Sequence, residues 1–204
     1  LSELIISPAQ WLATAGWQNV SVPVAVIRRQ RLFNAAITEE EKMVPKHKAL
    51  VTPAVRLLRR EGVPFGEHPY RYEEGGGTGC FAREAKVDEH LVIKTLIMED
   101  ERRIPMIVLM HGDLQVSTKA LARQIGVKTV RPCDAITADR HSGYQVGGTS
   151  PFATRRRMPV YCQESILQLP RIYINGGKRG YIISMAPADM DRLLAPTQVS
   201  VARR

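Results

Sequence analysis

The sequence predicts an α+β domain in which helices flank a mixed, barrel-like β-sheet. Helix and strand patterns are mixed along the chain without a regular strand–helix alternation, which argues against a doubly wound parallel sheet. Two apolar runs, at residues 91–98 and 104–110, enclose a charged stretch and are typical of a hairpin of buried strands. The chain of 204 residues, 44% of them hydrophobic, is long enough to bury a core without disulfide or metal supports.

The first half of this domain contains one clear helix. Thr52 is a good N-cap, Pro53 suits the first helical position, and apolar residues recur three and four positions apart, so a helix is predicted over 53–61. A short strand is expected over 65–72. The glycine-rich stretch 75–79 is expected to be a mobile loop, because consecutive glycines form regular structure only at an entropic cost.

The second half contains two helices with recognisable ends. Ser117 caps a helix that ends at Gly126, and Asp134 begins a helix that ends near Gly143. The remaining elements follow from short apolar runs: strands over 128–131, 144–146, 158–161, 171–174 and 181–185, a helical turn over 163–167, and a last helix from Pro187.

The net charge of the chain indicates which class of partner it is expected to bind. The chain carries 29 Lys and Arg against 20 Asp and Glu, a net charge of +9. Such an excess favours a polyanion, most simply nucleic acid, although many basic proteins bind none. No run approaches the roughly 18 apolar residues of a membrane span, so an integral membrane protein is excluded and no membrane partner is expected.

Cysteine and histidine usage indicates a reducing compartment and no metal. The three cysteines are odd in number and widely spaced, so a disulfide framework is not expected and the cytoplasm is the predicted location. These cysteines are Cys80, Cys133 and Cys162. The five histidines show no metal-ligand spacing, and we expect neither a metal nor another cofactor.

The chain is expected to divide near Met43, its first methionine. Residues 43–204 have an ordinary length for one domain. Residues 1–42 differ from them in residue pattern and are expected to form an N-terminal extension. Two hypotheses stay open for the extension. It is either an appended segment without function or a basic arm that touches nucleic acid.

Lys94 stands alone inside an apolar strand. An unpaired ammonium is too costly to bury, so the side chain either reaches solvent at the sheet edge or projects into a polar cleft. In the second case it is a fixed cation that grips a phosphate or polarises a carbonyl.

A glycine-containing loop is the second feature. Two glycines precede a residue restricted by proline, which describes a rigid loop with exposed backbone N–H groups. Such a loop can cradle an anion or stabilise an oxyanion, although a plain turn is the commoner explanation. Its residues are Gly147, Gly148, Thr149, Ser150, Pro151 and Phe152. A basic run that suits a phosphate backbone, but is more often merely solvated, follows at Arg155, Arg156 and Arg157.

The third feature is the stretch 175–180, where glycines alternate with Lys178 and Arg179 between two predicted strands. It is either a flexible basic hairpin tip or a second phosphate-contacting loop. No Ser/His/Asp or Cys/His arrangement has a defensible spacing, and no Walker A loop or dinucleotide fingerprint occurs. The residues alone therefore indicate a basic α+β domain with an anion-binding cleft.

Four segments, taken together and in this order, resemble the motifs of a known protein family. They are Thr-Pro-Ala-Val at 52–55, Val-Ile-Lys-Thr-Leu at 92–96, Gly-Tyr-Gln-Val-Gly-Gly-Thr-Ser-Pro at 143–151 and Gly-Gly-Lys-Arg-Gly at 176–180. They resemble the YbaK/EbsC family of bacterial aminoacyl-tRNA deacylases, which is related to the editing insertion of prolyl-tRNA synthetase. The likeness runs from about residue 50 to residue 194 and leaves residues 1–42 without a counterpart.

The resemblance implies trans-editing, the release of a wrongly attached amino acid from tRNA, most typically from Cys-tRNA(Pro). It implies tRNA(Pro) and prolyl-tRNA synthetase as partners. Lys94 would be the residue most important for activity and would hold the terminal adenosine, and the loop from Gly147 to Pro151 would contact the ester. Further substrate contacts are expected at Tyr70, Thr95, Phe152, Lys178 and Arg179, and tRNA contacts at Arg155, Arg156 and Arg157. A cysteinyl substrate would use its own thiol to attack its ester, whereas a positioned water is the alternative for other amino acids.

Two positions depart from the family pattern. Ala153 stands where the family loop often has glycine, and a positive φ there would be strained. Ile182 stands where cysteine-specific members carry an acidic residue, which bears on the amino acid removed. Two other functional classes stay open: a non-catalytic tRNA- or synthetase-binding module, and a nucleotide-binding protein that uses the same cleft.

Overall fold

The computed structural model describes residues 50–204. The expected extension at residues 1–42 lies outside this range, as do the first residues of the domain expected from Met43. The α-helices are α1 Pro53–Arg60, α2 Gly77–Ala85, α3 Thr118–Ile125, α4 Ala135–Ser142 and α5 Pro187–Leu194, with short 3₁₀ turns at Glu89–Leu91 and Glu164–Gln168. The strands are β1 Gly66–Pro69, β2 Val92–Asp100, β3 Pro105–His111, β4 Gln115–Val116, β5 Val130–Pro132, β6 Val160–Gln163, β7 Ile172–Lys178, β8 Tyr181–Met185, β9 Thr197–Val199 and β10 Ala202–Arg203.

The main sheet confirms the predicted α+β class with mixed strand directions. Its order is β1-β8-β7-β2-β3-β6-β9, and β5 pairs with the far end of β2. The predicted hairpin is the antiparallel pair β2–β3, whereas β2–β7, β3–β6 and β6–β9 run parallel. The strands β4 and β10 form a separate two-stranded ribbon.

The central hairpin has two buried faces. Because side chains alternate along a strand, Ile93 and Ile97 of β2 join one apolar cluster and Met98 joins another. Helices α1 and α5 pack on the first cluster through residues such as Leu58 and Met190. Helix α3 packs on the second cluster, so helices flank both faces of the sheet.

The predicted helix boundaries rest on side-chain caps that the structure confirms. The hydroxyl of Thr52 accepts a hydrogen bond from the backbone N–H of Val55 at 3.1 Å. The side chains of Ser117 and Asp134 cap α3 and α4 in the same way. Gly126 and Gly143 end these helices in the left-handed conformation, with φ of 74° and 77°.

Two predicted elements are wrong. The stretch 75–79 is not wholly a loop, because α2 begins at Gly77; burial of Cys80 and Phe81 offsets the cost of its glycines. Residues 144–146 form a turn instead of a strand. Tyr144 is buried there and donates a hydrogen bond to the carbonyl oxygen of Phe152 at 2.6 Å, which closes the chain on itself.

Strand lengths also differ from the expected ones. β1 covers only the middle of the strand expected over 65–72. β7 extends to Lys178 through a register shift between Asn175 and Lys178, so most of the predicted glycine loop belongs to the sheet. Across residues 50–204, none of the helices combines the length and apolar character needed to cross a membrane.

Candidate active site

A cavity of about 450 Å³ opens along one edge of β2. It collects residues that lie far apart in the sequence, from the segment before α2, from β2, from the segment after β5 and from the loop after α4. The lining includes Tyr70, Tyr72, Thr78, Phe81, Lys94, Thr95, Cys133, Gly147, Thr149, Asn175 and Ile182.

The cavity exists because the strands beside β2 diverge. β7 pairs with β2 only at Val92 and Ile93, whereas β5 pairs with it only from Met98 onward. The carbonyl oxygen of Ile97 accepts a hydrogen bond from Cys133 at 3.0 Å on this side. Backbone groups two residues apart point to the same side of a strand, so the N–H and C=O of Thr95 face the gap without a strand partner.

The hydroxyl of Thr95 adds a third polar group at this edge. Its Oγ1 atom is buried and has no hydrogen-bond partner among residues 50–204. An unsatisfied buried hydroxyl costs free energy, and Thr95 lines the cavity, so a bound molecule that reaches this atom would relieve that cost.

Lys94 supplies a fixed cation to the cavity. Its ammonium donates a hydrogen bond to the carbonyl oxygen of Leu114 at 2.5 Å, which anchors the side chain in a half-buried position. Burial lowers the pKa of Lys94, while the nearby carboxylates of Glu89 and Asp113 act in the opposite direction. Lys94 thus lines the cavity while its ammonium is held by a carbonyl oxygen, which is compatible with both of the positions that the sequence left open.

The predicted glycine loop divides into a part that lines the cavity and a part that does not. Gly147 and Thr149 line the cavity, and no acceptor among residues 50–204 pairs with their backbone N–H groups. The side chain of Asn175 fixes this loop by donating to the carbonyl oxygen of Gly147 at 3.1 Å. Loop donors of this kind can stabilise a developing oxyanion.

The other half of the loop does not reach the cavity. Ser150 and Phe152 are fully buried, and Pro151 is buried beside them. The expected substrate contact at Phe152 is therefore wrong for its side chain, which packs in the main apolar cluster. Ala153 has a φ of 51°, so the strained left-handed residue does occur at this departure from the family pattern.

The two predicted glycine segments lie against each other. Gly148 approaches the backbone of Lys178 and Arg179 so closely that a Cβ atom would lie 2.6 Å from the Arg179 nitrogen. The guanidinium of Arg179 donates to the carbonyl oxygen of Val146 at 2.8 Å and lies 5.0 Å from the centre of the Tyr72 ring. Arg179 thus contacts Tyr72 on the rim of the cavity, and neither Lys178 nor Arg179 lines the cavity itself.

One wall of the cavity is aromatic and apolar. Tyr70 packs edge-on against Phe81, with ring centres 5.4 Å apart, and Ile182 joins the same cluster. Burial raises the pKa of Tyr70, and the neighbouring Cys80 adds to the rise, so its phenol stays protonated and can donate a hydrogen bond. Ile182 leaves no carboxylate at the position of the acidic residue in the family pattern.

The run of three arginines lies elsewhere. None of these three arginines, at which tRNA contacts are expected, lines the cavity around Lys94. The backbone N–H groups of Arg155 and Arg156 bond to the carbonyl oxygens of Ser142 and His141, which ties the run to the end of α4. Arg156 lines a separate, polar cavity.

The cavity contains a cysteine, but its thiol is not poised to react. Burial, followed by the charge of Glu99, raises the pKa of Cys133 to about 11, so the thiolate is scarce at neutral pH. Within residues 50–204, two Ser–His contacts occur, between His68 and Ser184 at 2.9 Å and between His111 and Ser165 at 2.7 Å. None of these four residues lines the cavity.

Sequence reasoning missed Tyr72, Thr78, Phe81, Cys133 and Asn175 as lining residues. The position of Asn175 directly before two glycines is a weak signal of a loop anchor. The residues of α2 were missed because the glycine run around them was assigned to a loop.

Within residues 50–204, no three His, Cys, Asp or Glu side chains are grouped to hold a metal ion.

The chain is similar to proteins of one known family. The family model described as the aminoacyl-tRNA editing domain matches residues 79–193. A protein of Enterococcus faecalis (strain ATCC 700802 / V583), EbsC, is 27% identical over 146 residues, which is 71% of this chain and 89% of that protein. Its name describes it as a candidate Cys-tRNA(Pro)/Cys-tRNA(Cys) deacylase.

Solved structures share the fold. The hypothetical protein APE2540 superposes with a TM-score of 0.69 at 19% identity, over 74% of this chain and 100% of its own. A candidate trans-editing enzyme for prolyl-tRNA synthetase superposes with a TM-score of 0.65 at 18% identity, over 76% of this chain and 100% of its own. With more than half of its residues matched by the family model, this chain belongs to the aminoacyl-tRNA editing domain family.

Proposed function

We propose that this protein is a trans-editing aminoacyl-tRNA deacylase whose active site is the cavity beside β2. The observation that carries the proposal is the half-buried ammonium of Lys94, fixed by Leu114, in a cavity that also offers unpaired backbone donors. This combination suits a substrate that carries both an anionic backbone and an activated carbonyl. An aminoacyl-tRNA has both.

Because an aminoacyl ester is already activated, the protein needs only to position the substrate and to stabilise the transition state. In the proposed complex, Lys94 holds the terminal adenosine, and the backbone N–H groups of Gly147 and Thr149 contact the ester carbonyl. Donors fixed in a water-poor site favour the charge that develops on this oxygen in the transition state. A side-chain nucleophile is not required, in keeping with the high pKa of Cys133.

Two routes of release fit this site. A cysteinyl substrate can attack its own ester: the sulfur–carbon bond forms, the carbon–oxygen bond to ribose breaks, and the thiol proton passes to the ribose oxygen. For other amino acids a water held by backbone groups and the ribose hydroxyl attacks instead. In the proposed complex the Tyr70 phenol, which lines the cavity and is protonated at neutral pH, orients either nucleophile.

The proposed substrate is Cys-tRNA(Pro). The name of the Enterococcus faecalis relative and the apolar wall at Phe81 and Ile182 both favour a small, weakly polar side chain. Ile182 offers no carboxylate to the α-ammonium group, so discrimination among small amino acids would rest on the shape of the cavity. We further propose that prolyl-tRNA synthetase delivers the tRNA, that the reaction takes place in the cytoplasm, and that residues 43–204 form the deacylase domain.

The experiment that tests this function is a panel of mischarged substrates. Purified protein is incubated with Cys-tRNA(Pro), Ala-tRNA(Pro) and Ser-tRNA(Pro), and the ester remaining is followed over time. We expect release that is fastest for Cys-tRNA(Pro). Slower ester loss than in buffer alone would instead identify a binding module that protects the ester.

Thr95→Val tests the polar edge of β2. Valine keeps the shape of threonine but removes the buried Oγ1 atom, so a hydrogen bond to the substrate would be lost while the cavity keeps its form. We expect kcat/KM for the mischarged tRNA to fall by about tenfold, the worth of one hydrogen bond. Thermal stability should be unchanged or slightly higher, because an unsatisfied hydroxyl is removed.

The matched control is Thr197→Val, at an exposed position of β9 that does not line the cavity. Steady-state kinetics and thermal unfolding of both variants give the comparison. Full activity in Thr95→Val would remove Thr95 Oγ1 from the substrate contacts.

A further inference from the structure

A second cavity lies next to the first and is polar and rich in arginine. Its volume is about 460 Å³. Pro132 lines both cavities, and the neighbouring residues Thr137 and Ala138 of α4 line one cavity each. The residues of the second cavity are Glu99, Arg103, Arg131, Pro132, Asp134, Thr137, Arg140, His141 and Arg156.

Three of its arginines have no carboxylate partner within residues 50–204. They come from three separate elements: Arg103 from the turn between β2 and β3, Arg140 from the last turn of α4, and Arg156 from the segment after the glycine loop. Like charges repel, so their convergence on one cavity is unfavourable unless an anion compensates it.

The carboxylates of the cavity are already engaged. Glu99 pairs with the fourth arginine, Arg131, at 2.7 Å. Asp134 caps α4 and accepts hydrogen bonds from the N–H and the hydroxyl of Thr137, both at 2.8 Å. Four arginines against two carboxylates leave the cavity positive.

The backbone holds Arg103 in an uncommon conformation. Its φ is 60°, a left-handed value that costs a non-glycine residue about 1 kcal/mol or more. The buried carboxylate of Asp100 maintains this turn by accepting from the N–H groups of Arg102 and Ile104, both at 2.8 Å. The turn thus directs a cation into the cavity at an energetic cost.

His141 lies among these cations. Burial lowers the pKa of His141, and the charges of Arg156 and Arg140 lower it further, so its ring is neutral near pH 7. A neutral imidazole can still donate one hydrogen bond to an anion without adding to the repulsion.

We propose that the second cavity is a phosphate subsite for the acceptor end of the tRNA, formed by Arg103, Arg140 and Arg156. The proposal rests on the proposed function, since it takes the aminoacyl ester to occupy the first cavity. The shared wall at Pro132 then places the adjoining sugar-phosphate backbone at the arginine cluster. Guanidinium groups suit this role because they bond phosphate oxygens in pairs. Of the three adjacent arginines in the sequence, only Arg156 belongs to this subsite.

The test compares a substrate with backbone phosphates and one without them. The double variant Arg140→Gln with Arg156→Gln is assayed on Cys-tRNA(Pro) and on 3′-cysteinyl-adenosine, which lacks every backbone phosphate. We expect at least a tenfold loss in kcat/KM on the tRNA, carried by KM, and a change of less than twofold on the adenosine ester. The salt dependence of tRNA binding should also become shallower by about two units of slope.

A double variant of equal charge is the control. Arg123→Gln with Arg192→Gln removes two exposed arginines from α3 and α5, neither of which lines either of the two cavities described above. Equal losses in the two double variants would overturn the subsite in favour of a diffuse electrostatic field. A loss on the adenosine ester as large as that on the tRNA would overturn it too, since it would reveal damage to the first cavity.

The two proposals fail separately. If wild-type protein releases the amino acid from neither substrate, the deacylase function fails. The subsite is then judged by direct tRNA binding, where weaker and less salt-dependent binding of the cavity variant supports it and unchanged binding overturns it. If wild-type protein is active and the cavity variant equals it on both substrates, only the subsite fails.

Discussion

Replacing Lys94 by alanine is expected to reduce deacylation of a mischarged tRNA by about 100-fold to 1,000-fold, the usual effect of removing one fixed electrostatic contact from an active site. The ammonium is held by the carbonyl oxygen of Leu114 and lies where the strands beside β2 diverge. No other Lys or Arg lines this cavity, so within residues 50–204 no neighbouring cation replaces it there. The loss should appear in single-turnover rates as well as in kcat/KM.

The same substitution should leave the fold intact. Because burial lowers the pKa of Lys94, the charged lysine is less favourable in the folded chain than in the unfolded chain, so removing it does not cost stability through its charge. The lost hydrogen bond to the carbonyl oxygen of Leu114 costs about 1 kcal/mol. Thermal unfolding should therefore change by only a few degrees.

Lys119→Ala, in α3 and away from the cavity lining, is the control for the loss of one lysine charge. It should keep wild-type rates. Wild-type activity in Lys94→Ala would refute the assignment of the active site. If Lys94→Ala does not fold, Lys94 has a structural role. The loss of activity in that variant would then no longer be evidence for a catalytic role.

Sequence patterns identified the cation and the loop beside it because both have local causes. A charged residue inside an apolar strand needs a polar exit, and two glycines before a Ser-Pro pair define a constrained backbone. The caps at Thr52, Ser117 and Asp134 are equally local, which is why the bounds of α1, α3 and α4 were predicted closely.

The shape of the cavity could not be predicted, since it depends on which strands pair with β2. β7 arrives from about eighty residues downstream and β5 from about thirty, and the gap between them has no signature in β2 itself. Tyr144 shows the same limit. An apolar residue after a helix fits either a strand or a buried turn, and only its contact with the distant Gly177 decides between them.

The arginine run illustrates how a single sequence feature divides in three dimensions. Adjacent residues of an irregular segment point in different directions, so Arg156 enters a cavity while Arg155 packs against Gly143. The partners of Arg156 in that cavity, Arg103 and Arg140, come from two other segments of the chain, and no sequence pattern relates them to Arg156. The fold therefore brings together a cluster of positive charge that the run of adjacent arginines in the sequence does not reveal.

Gly148→Ala is the second change for which we expect a large effect, a loss of about 100-fold in deacylation. A Cβ atom at this position would lie 2.6 Å from the Arg179 nitrogen and 2.8 Å from the Lys178 carbonyl carbon, and backbone atoms cannot rotate out of the way. Either the loop or the tip of β7 and β8 must shift. A displacement of about 1 Å in groups that position a reacting bond costs about two orders of magnitude in rate.

The expected cost in stability is smaller, about 1–3 kcal/mol, the range for a methyl group forced into a filled site. Gly79→Ala is the control, because its Cβ atom would meet only ordinary contacts, the nearest at 3.4 Å, and alanine favours the helix α2. Rates measured well below the unfolding temperature of Gly148→Ala separate the two effects. If that variant is fully folded yet as active as wild type, contact between the glycine loop and the basic tip is not needed for catalysis. If it is folded and inactive, Gly148 acts by letting two backbones meet, and the donors at Gly147 and Thr149 work only while that contact holds them in place.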